Sequence, residues 1–88
     1  MSETLMWEAR AAVGRQEELL DWVGGVLEGM RDNAACRCAG LYRGGDHRVV
    51  VLVEADGLPP ELPPPPEELL SRPARQWTFR RVRRHVFR

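Results

Sequence analysis

Two cysteines and two histidines are the side chains whose types are best suited to metal binding or covalent chemistry. Cys36 and Cys38 are one residue apart, so a regular strand would place both thiols on one face, as half of a metal site. A closed zinc site needs four ligands. In the predicted hairpin, His47 lies beside the turn, four positions beyond Cys38 along the sheet, roughly 13 Å at 3.3 Å per residue, so it cannot complete the set. His85 lies in the arginine-rich end of the chain. We therefore expect two small apolar thiols packed beneath a helix. We expect no metal, no cofactor and no catalytic residue.

The aromatic residues form a second group of interest. Trp7 and Trp77 fall on strands that we predict to be neighbours, and Trp22 lies at the edge of a predicted helix above them. Such rings line flat cavities for aromatic or polyketide-like ligands, with an arginine meeting the anionic group of the ligand. An aromatic cluster at this spacing is more often an ordinary core, and the sequence alone does not decide between the two interpretations. The candidate pocket residues are Trp7, Arg10, Trp22, Tyr42, Arg75 and Trp77.

Charge is distributed unevenly along the chain. Residues 1–71 hold 13 acids and 6 arginines, a balance of −7, whereas residues 72–88 hold 7 arginines and no acid. The net charge of zero argues against a dedicated polyanion binder, and the two parts cancel as they would if the end folds back onto an acidic body.

The C-terminal stretch "RQWTFRRVRRHVFR" is either a basic arm for nucleic acid or a strand with its arginines outward. Trp77 and Phe79 share one face, and Val82 and Val86 share the opposite parity. A β-bulge at Arg80–Arg81 would restore the apolar side. We therefore predict a strand and expect no useful binding to nucleic acid.

The remaining elements follow from periodicity. Residues 4–13 alternate like a half-buried strand, and "GRQEELLDWVGGVLEGMRD" has the period of an amphipathic helix. "AACRCAGLYR" and "HRVVVLVEA" read as a hairpin around Gly44–Gly45 that pairs Tyr42 with His47. Residues 58–66 are a proline-rich crossover. We interpret it as a stiff connection around the edge of the domain; the alternative is a ligand for a proline-binding groove. A short helix would start at Pro66 and end before Pro73.

This order of elements predicts the fold class. Strand, helix, two strands, short helix and strand give an α+β, ferredoxin-like βαββαβ arrangement. Its antiparallel sheet would carry the helices on one face, and the second helix would be very short. A chain of 88 residues is one domain, residues 1–88.

"LMWEARAAVGRQEELLDWV" and "RPARQWTFRRV" resemble small proteins of the dimeric α/β-barrel superfamily, which includes antibiotic-biosynthesis-monooxygenase-like domains. The resemblance implies a homodimer whose sheets pack together and a cleft between each sheet and its helices. In the monooxygenases and haem-degrading members, a longer second helix supplies pocket residues. Here "PPPPEELLSRP" contains no His, Asn or Trp, so no catalytic residue is carried over.

The predicted third strand is apolar on both faces at its centre. One amphipathic helix and a short second one cannot cover both faces of the sheet, and an apolar patch on a small protein marks an interface. We therefore predict a homodimer. The expected interface residues are Met6, Leu41, Val50 and Leu52.

Three function classes remain. The first is a non-catalytic accessory or regulatory module. The second is a binder of a small aromatic ligand, conceivably a cofactor-independent monooxygenase or cyclase-like enzyme acting on an aromatic or polyketide-like substrate. The third is a weak nucleic-acid binder. The opening residues lack the apolar run of a signal peptide and no stretch reaches membrane-spanning length, so we expect a cytoplasmic protein with reduced thiols.

Overall fold

The computed structural model describes residues 2–88 and contains one α-helix and four β-strands. In chain order the elements are β1 (Ser2–Ala11), α1 (Gln16–Gly29), β2 (Cys36–Gly44), β3 (Arg48–Asp56), one turn of 3-10 helix (Glu67–Leu69) and β4 (Leu70–Arg80). Within residues 2–88, no helix is both long enough and apolar enough to cross a membrane.

The strands form one antiparallel sheet in the order β2-β3-β1-β4. β1 is therefore central, with β3 on one side and β4 on the other. The helical crossover from β1 to β2 and the connection from β3 to β4 give the ferredoxin-like order, so the predicted fold class is confirmed. The second helix is reduced to the single turn Glu67–Leu69.

The core lies between α1 and one face of the sheet, the helix side. Alternate residues of β1 and β3 point inward, because successive strand residues face opposite sides. Burying an aliphatic side chain of this kind stabilises the fold by roughly 1.5–3 kcal/mol. The fully enclosed residues, each at most 3% exposed, are Leu5, Trp7, Ala9 and Ala11 of β1, Leu19 and Val23 of α1, Val49, Val51, Val53 and Ala55 of β3, and Leu62.

A buried glutamine ties the start of α1 to the hairpin. Gln16 is 7% exposed, and its Nε2 donates to the carbonyl oxygens of Gly45 and Arg48 at 3.1 and 3.0 Å. Its Oε1 accepts from Nη1 of Arg43 at 3.1 Å. All polar atoms of this side chain are thus satisfied, as burial requires.

The register of the β2–β3 hairpin differs from the prediction. Tyr42 pairs with Val50 rather than with His47, a displacement of three positions, and residues 45–47 form the loop. Gly45 has φ = +58°, in the left-handed region that glycine enters without steric cost. Because the displacement is an odd number of residues, the side chains of β2 exchange faces relative to the prediction.

A bulge near the start of β2 adds a second change. Cys36 pairs with Ala55 and Cys38 pairs with Glu54, so Arg37 is an extra residue on this strand. The predicted sharing of one face by the two cysteines is therefore wrong.

The proline-rich crossover, residues 58–66, is here named the strap. Pro59, Leu62 and Pro65 are its buried residues, at every third position. A polyproline II helix has three residues per turn, and Pro66 has the matching φ of −54° and ψ of 131°. The strap therefore packs one ridge of such a helix on the core.

The last strand lies earlier in the chain than predicted. β4 begins at Leu70, and its pairing with β1 shifts between Arg75 and Arg72, around Pro73. An edge strand with a bulge tolerates proline there. The pairing of β4 with β1 ends at Arg80, which is opposite Glu3, and residues 81–88 form no regular structure. The predicted bulge at Arg80–Arg81 and the strand beyond it are wrong.

Candidate functional site

The sheet face opposite α1, here named the open face, is the first candidate site. α1 and the strap pack on the helix side, where Leu19, Val23 and Leu62 are buried. The centre of the open face consists of Met6, Val50 and Leu52, which are half-buried. Around this centre stand three aromatic side chains that are 44–52% exposed, namely Trp77, Phe79 and Tyr42.

Three of the four predicted interface residues share this face. Met6 pairs with Leu52 across β1 and β3, and Val50 pairs with Glu8 on the same side. Leu41 is the exception: it pairs with Val51 of the core, so it lies on the helix side. Its placement on the open face was wrong because the predicted hairpin register was displaced.

The predicted aromatic pocket is divided between the two faces. Trp7 is 1% exposed in the core and Trp22 packs against the core from α1. Trp77 pairs with Met6 and Tyr42 with Val50, so both belong to the open face. Arg10 pairs with Arg48, and Arg75 pairs with Glu8, so both arginines lie on the open face as well. The six residues therefore do not line one cavity.

Ion pairs occupy both ends of the open face. At one end Glu3 pairs with Arg80 at 3.2 Å, and Glu54 pairs with Arg81 of the C-terminal segment. At the other end Glu8 lies between Arg48 and Arg72, at 3.5 and 3.4 Å. The basic end of the chain thus folds back onto acids of the sheet, as its charge pattern predicted.

The two thiols differ in surroundings. Cys36 is partly buried against the core, whereas Cys38 is exposed on the open face, where its Sγ donates to Oε2 of Glu54 at 2.9 Å. This hydrogen bond, with a smaller contribution from desolvation, raises the pKa of the Cys38 thiol above its usual value. The pKa of Glu54 is lowered, first by the thiol and then by Arg81.

The histidines stand apart from the cysteines. His47 is exposed in the hairpin loop, and its carbonyl oxygen accepts the Ala11 amide at 2.6 Å. The ring of His85 stacks on Phe87 with centroids 6.3 Å apart. Within residues 2–88, no three His, Cys, Asp or Glu side chains are grouped closely enough to hold a metal ion.

A cavity of about 480 Å³ lies between the strap and β4, with Trp7 in its wall. Its polar rim includes Arg72 and Glu61, and its apolar lining includes Leu70 and Ala74. This site is not predicted from the sequence, where residues 66–72 have the pattern of a short helix. The signal that could have found it is the alternation of Ala74 and Gln76, which face the strap side of β4. Arg72 lies where the pairing is irregular, so it lines the cavity and also reaches Glu8 on the open face.

Gln76 fixes the strap over this cavity. Its Oε1 accepts the Leu62 amide at 3.0 Å, and its Nε2 donates to the Leu62 carbonyl oxygen at 3.1 Å. The side-chain amide of Gln76 thus bonds to the strap backbone as a neighbouring strand would. It does so at Leu62, which is the one buried strap residue that is not a proline.

Comparison with known proteins supports the fold. No protein-family model matches the chain, and no curated protein matches it. The solved structure of Rv0793 from Mycobacterium tuberculosis is similar, with a TM-score of 0.74 and 14% sequence identity, covering 98% of this chain and 100% of that chain. At this identity the likeness shows the fold alone.

Proposed function

We propose that the chain is a homodimeric, non-catalytic accessory or regulatory module of the dimeric α/β-barrel superfamily, related to the antibiotic-biosynthesis-monooxygenase-like proteins. The observation that carries this proposal is the open face, with Met6, Val50 and Leu52 at its centre and exposed aromatic rings around them. A contiguous apolar patch of this kind is typical of an interface. A second copy meeting the same patch across a two-fold axis would cover it.

The charges around the patch fit a binding surface better than an acid–base site. Glu3, Glu8 and Glu54 each pair with an arginine. The pKa of Glu54 is lowered by the Cys38 thiol and by Arg81, which makes this carboxylate a weak proton acceptor. These pairs would set the register of the two copies, while the apolar residues hold the dimer together.

The test compares two leucines on opposite faces of the sheet. Leu52→Arg places an unpaired charge at the centre of the open face and should convert a dimer into a monomer. Leu41→Arg is the matched control, because Leu41 is on the helix side with 36% of its surface exposed. Light scattering at micromolar concentration gives the mass, and circular dichroism confirms that each variant is folded.

A monomeric wild-type chain at micromolar concentration would overturn the proposal. Dissociation by Leu41→Arg but not by Leu52→Arg would place the interface on the helix side instead.

The second candidate function is binding of a small aromatic ligand, with a monooxygenase or cyclase-like activity as the further possibility within this class. The observation that favours it is the strap cavity, whose volume of about 480 Å³ lies in the range of ligand pockets, which is roughly 300–1,000 Å³. Trp7 would report occupancy by its fluorescence.

Titration with a small library of aromatic carboxylic acids and phenols tests this candidate. Saturable quenching should be lost in Trp7→Phe and weakened in Ala74→Leu, which fills part of the cavity. Quenching that survives in Trp7→Phe would come from Trp22 or Trp77, and would exclude the strap cavity as the site.

A further inference from the structure

Three arginines form one row across the sheet at the end where β3 begins and β1 ends. Arg10 pairs with Arg48 of β3 on one side and with Arg72 of β4 on the other. Like charges directly opposite on neighbouring strands destabilise a sheet. The row therefore costs stability in the isolated chain.

The neighbouring row supplies a single carboxylate. Glu8 lies beside the arginines and is shared, with one oxygen 3.5 Å from Nε of Arg48 and the other 3.4 Å from Nη2 of Arg72. Arg75 is the strand partner of Glu8 and adds a further positive charge. Four guanidinium groups thus surround one acid, an excess of three positive charges.

Arg10, the middle residue of the row, has no acid of its own. Within residues 2–88 it forms no ion pair, and its buried Nε has no hydrogen-bond partner. A buried donor without a partner destabilises the folded chain, so an acceptor at this position would be bound favourably.

The opposite end of the face shows that the excess is local. There Glu3 pairs with Arg80 and Glu54 with Arg81, one acid for each arginine. The imbalance is therefore not a general property of an arginine-rich chain, and it coincides with the unpartnered donor of Arg10.

We propose that Arg10, Arg48, Arg72 and Arg75 form a binding site for the oxyanion group of a small molecule, a carboxylate or a phosphate. The planar fork of a guanidinium matches both groups. The site lies where β3 begins and near where β1 ends, so the apolar centre of the open face stays available for pairing. It shares Arg72 with the lining of the strap cavity and lies on the open face beside the proposed dimer contact, but it takes an anion rather than an aromatic ring or a second copy.

Thermal unfolding with inorganic phosphate, succinate and chloride, at equal ionic strength, tests the site. At about ten times its Kd, an anion that binds only the folded chain should raise Tm by at least about 4 °C. Phosphate or succinate should do so in the wild type, and the more effective of the two identifies the group preferred. Arg10→Gln should abolish this rise and leave Tm in chloride unchanged or higher, since it removes repulsion and breaks no ion pair.

Two further variants sharpen the result. Arg83→Gln removes one positive charge from the exposed C-terminal segment and should retain the full rise. Arg10→Lys keeps the charge without the fork and should retain only part of it. Equal effects of chloride and phosphate on the wild type, or an undiminished rise in Arg10→Gln, would overturn the proposal.

Discussion

Cys38 and Glu54 show how one extra residue in a strand changes the chemistry of a thiol. The bulge at Arg37 places Cys38 opposite Glu54, whereas Cys36 stays against the core. The thiol donates to the carboxylate, and its pKa rises because ionisation would break this hydrogen bond and create a second negative charge beside the first. Cys38 is thus accessible but held in its protonated form.

Glu54→Gln should therefore make Cys38 more reactive. Removing the carboxylate charge lowers the thiol pKa, and only the thiolate reacts with iodoacetamide. In a Cys36→Ala background at pH 8, we expect the alkylation rate to increase several-fold and its pH profile to shift towards lower pH. Glu61→Gln, a change in the strap far from Cys38, is the control. An unchanged profile in Glu54→Gln would show that the carboxylate does not govern this thiol.

The faces of the two cysteines could not be predicted from the sequence. A spacing of two residues places side chains on one face of a regular strand, and a β-bulge without glycine leaves no mark in the residue types. The expectation of packed thiols holds for Cys36 alone, because only this thiol lies on the core side of the bulge.

Among the elements, the strap is secured by a side chain rather than by a helix. Leu62 occupies the middle of its buried ridge, 3% exposed, and both of its backbone polar groups bond to Gln76. A longer second helix would satisfy its own backbone; a proline-rich segment has few donors and depends on this contact.

Gln76→Ala should destabilise the fold by about 1–3 kcal/mol, because it leaves the partly buried Leu62 groups without partners. Urea unfolding followed by circular dichroism measures the change. Gln76→Glu is the matched control, since it keeps the acceptor for the Leu62 amide and loses the donor to the carbonyl oxygen. The loss of unfolding free energy in Gln76→Glu should be smaller than the loss in Gln76→Ala. No loss in Gln76→Ala would mean that water replaces the contact without penalty.

Most elements could be predicted from alternation and helical period, but the hairpin register could not. β1 and β3 each place alternate residues in the core, as their patterns indicated. At the centre of β3, however, Val50 and Val51 are both apolar, so a displacement by an odd number of residues carries no visible penalty. This ambiguity moved Leu41 to the wrong face, and with it part of the predicted interface.

At the scale of the whole molecule, the arginines near the C-terminus differ in whether they pair with acids of the sheet. Arg80 and Arg81 pair with Glu3 and Glu54 on the sheet, whereas Arg83, Arg84 and Arg88 lie in the exposed irregular segment. The charge pattern predicted the folding back but not its extent, because the extent depends on where β1 begins.

We accordingly predict that binding to mixed-sequence duplex DNA is weak and sensitive to salt. Three phosphate contacts would give a log–log slope of about −2.7 with salt concentration. Fluorescence anisotropy with a labelled duplex from low to physiological salt measures the slope. A variant with glutamine at positions 83, 84 and 88 should lose the remaining affinity. Submicromolar affinity at physiological salt would contradict the prediction.

The hydrogen bonds between Leu62 and Gln76 also make the opening of the strap measurable by hydrogen exchange. Six of the nine strap residues are prolines and carry no amide hydrogen. Only Leu58, Glu61 and Leu62 can exchange one with deuterated solvent, and the Leu62 amide is the one held by the Gln76 side chain. The exchange rate of the Leu62 amide hydrogen therefore reports how often the strap detaches from the sheet, separately from unfolding of the core. A molecule that binds in the strap cavity would hold the strap in place and should slow the exchange of this single hydrogen.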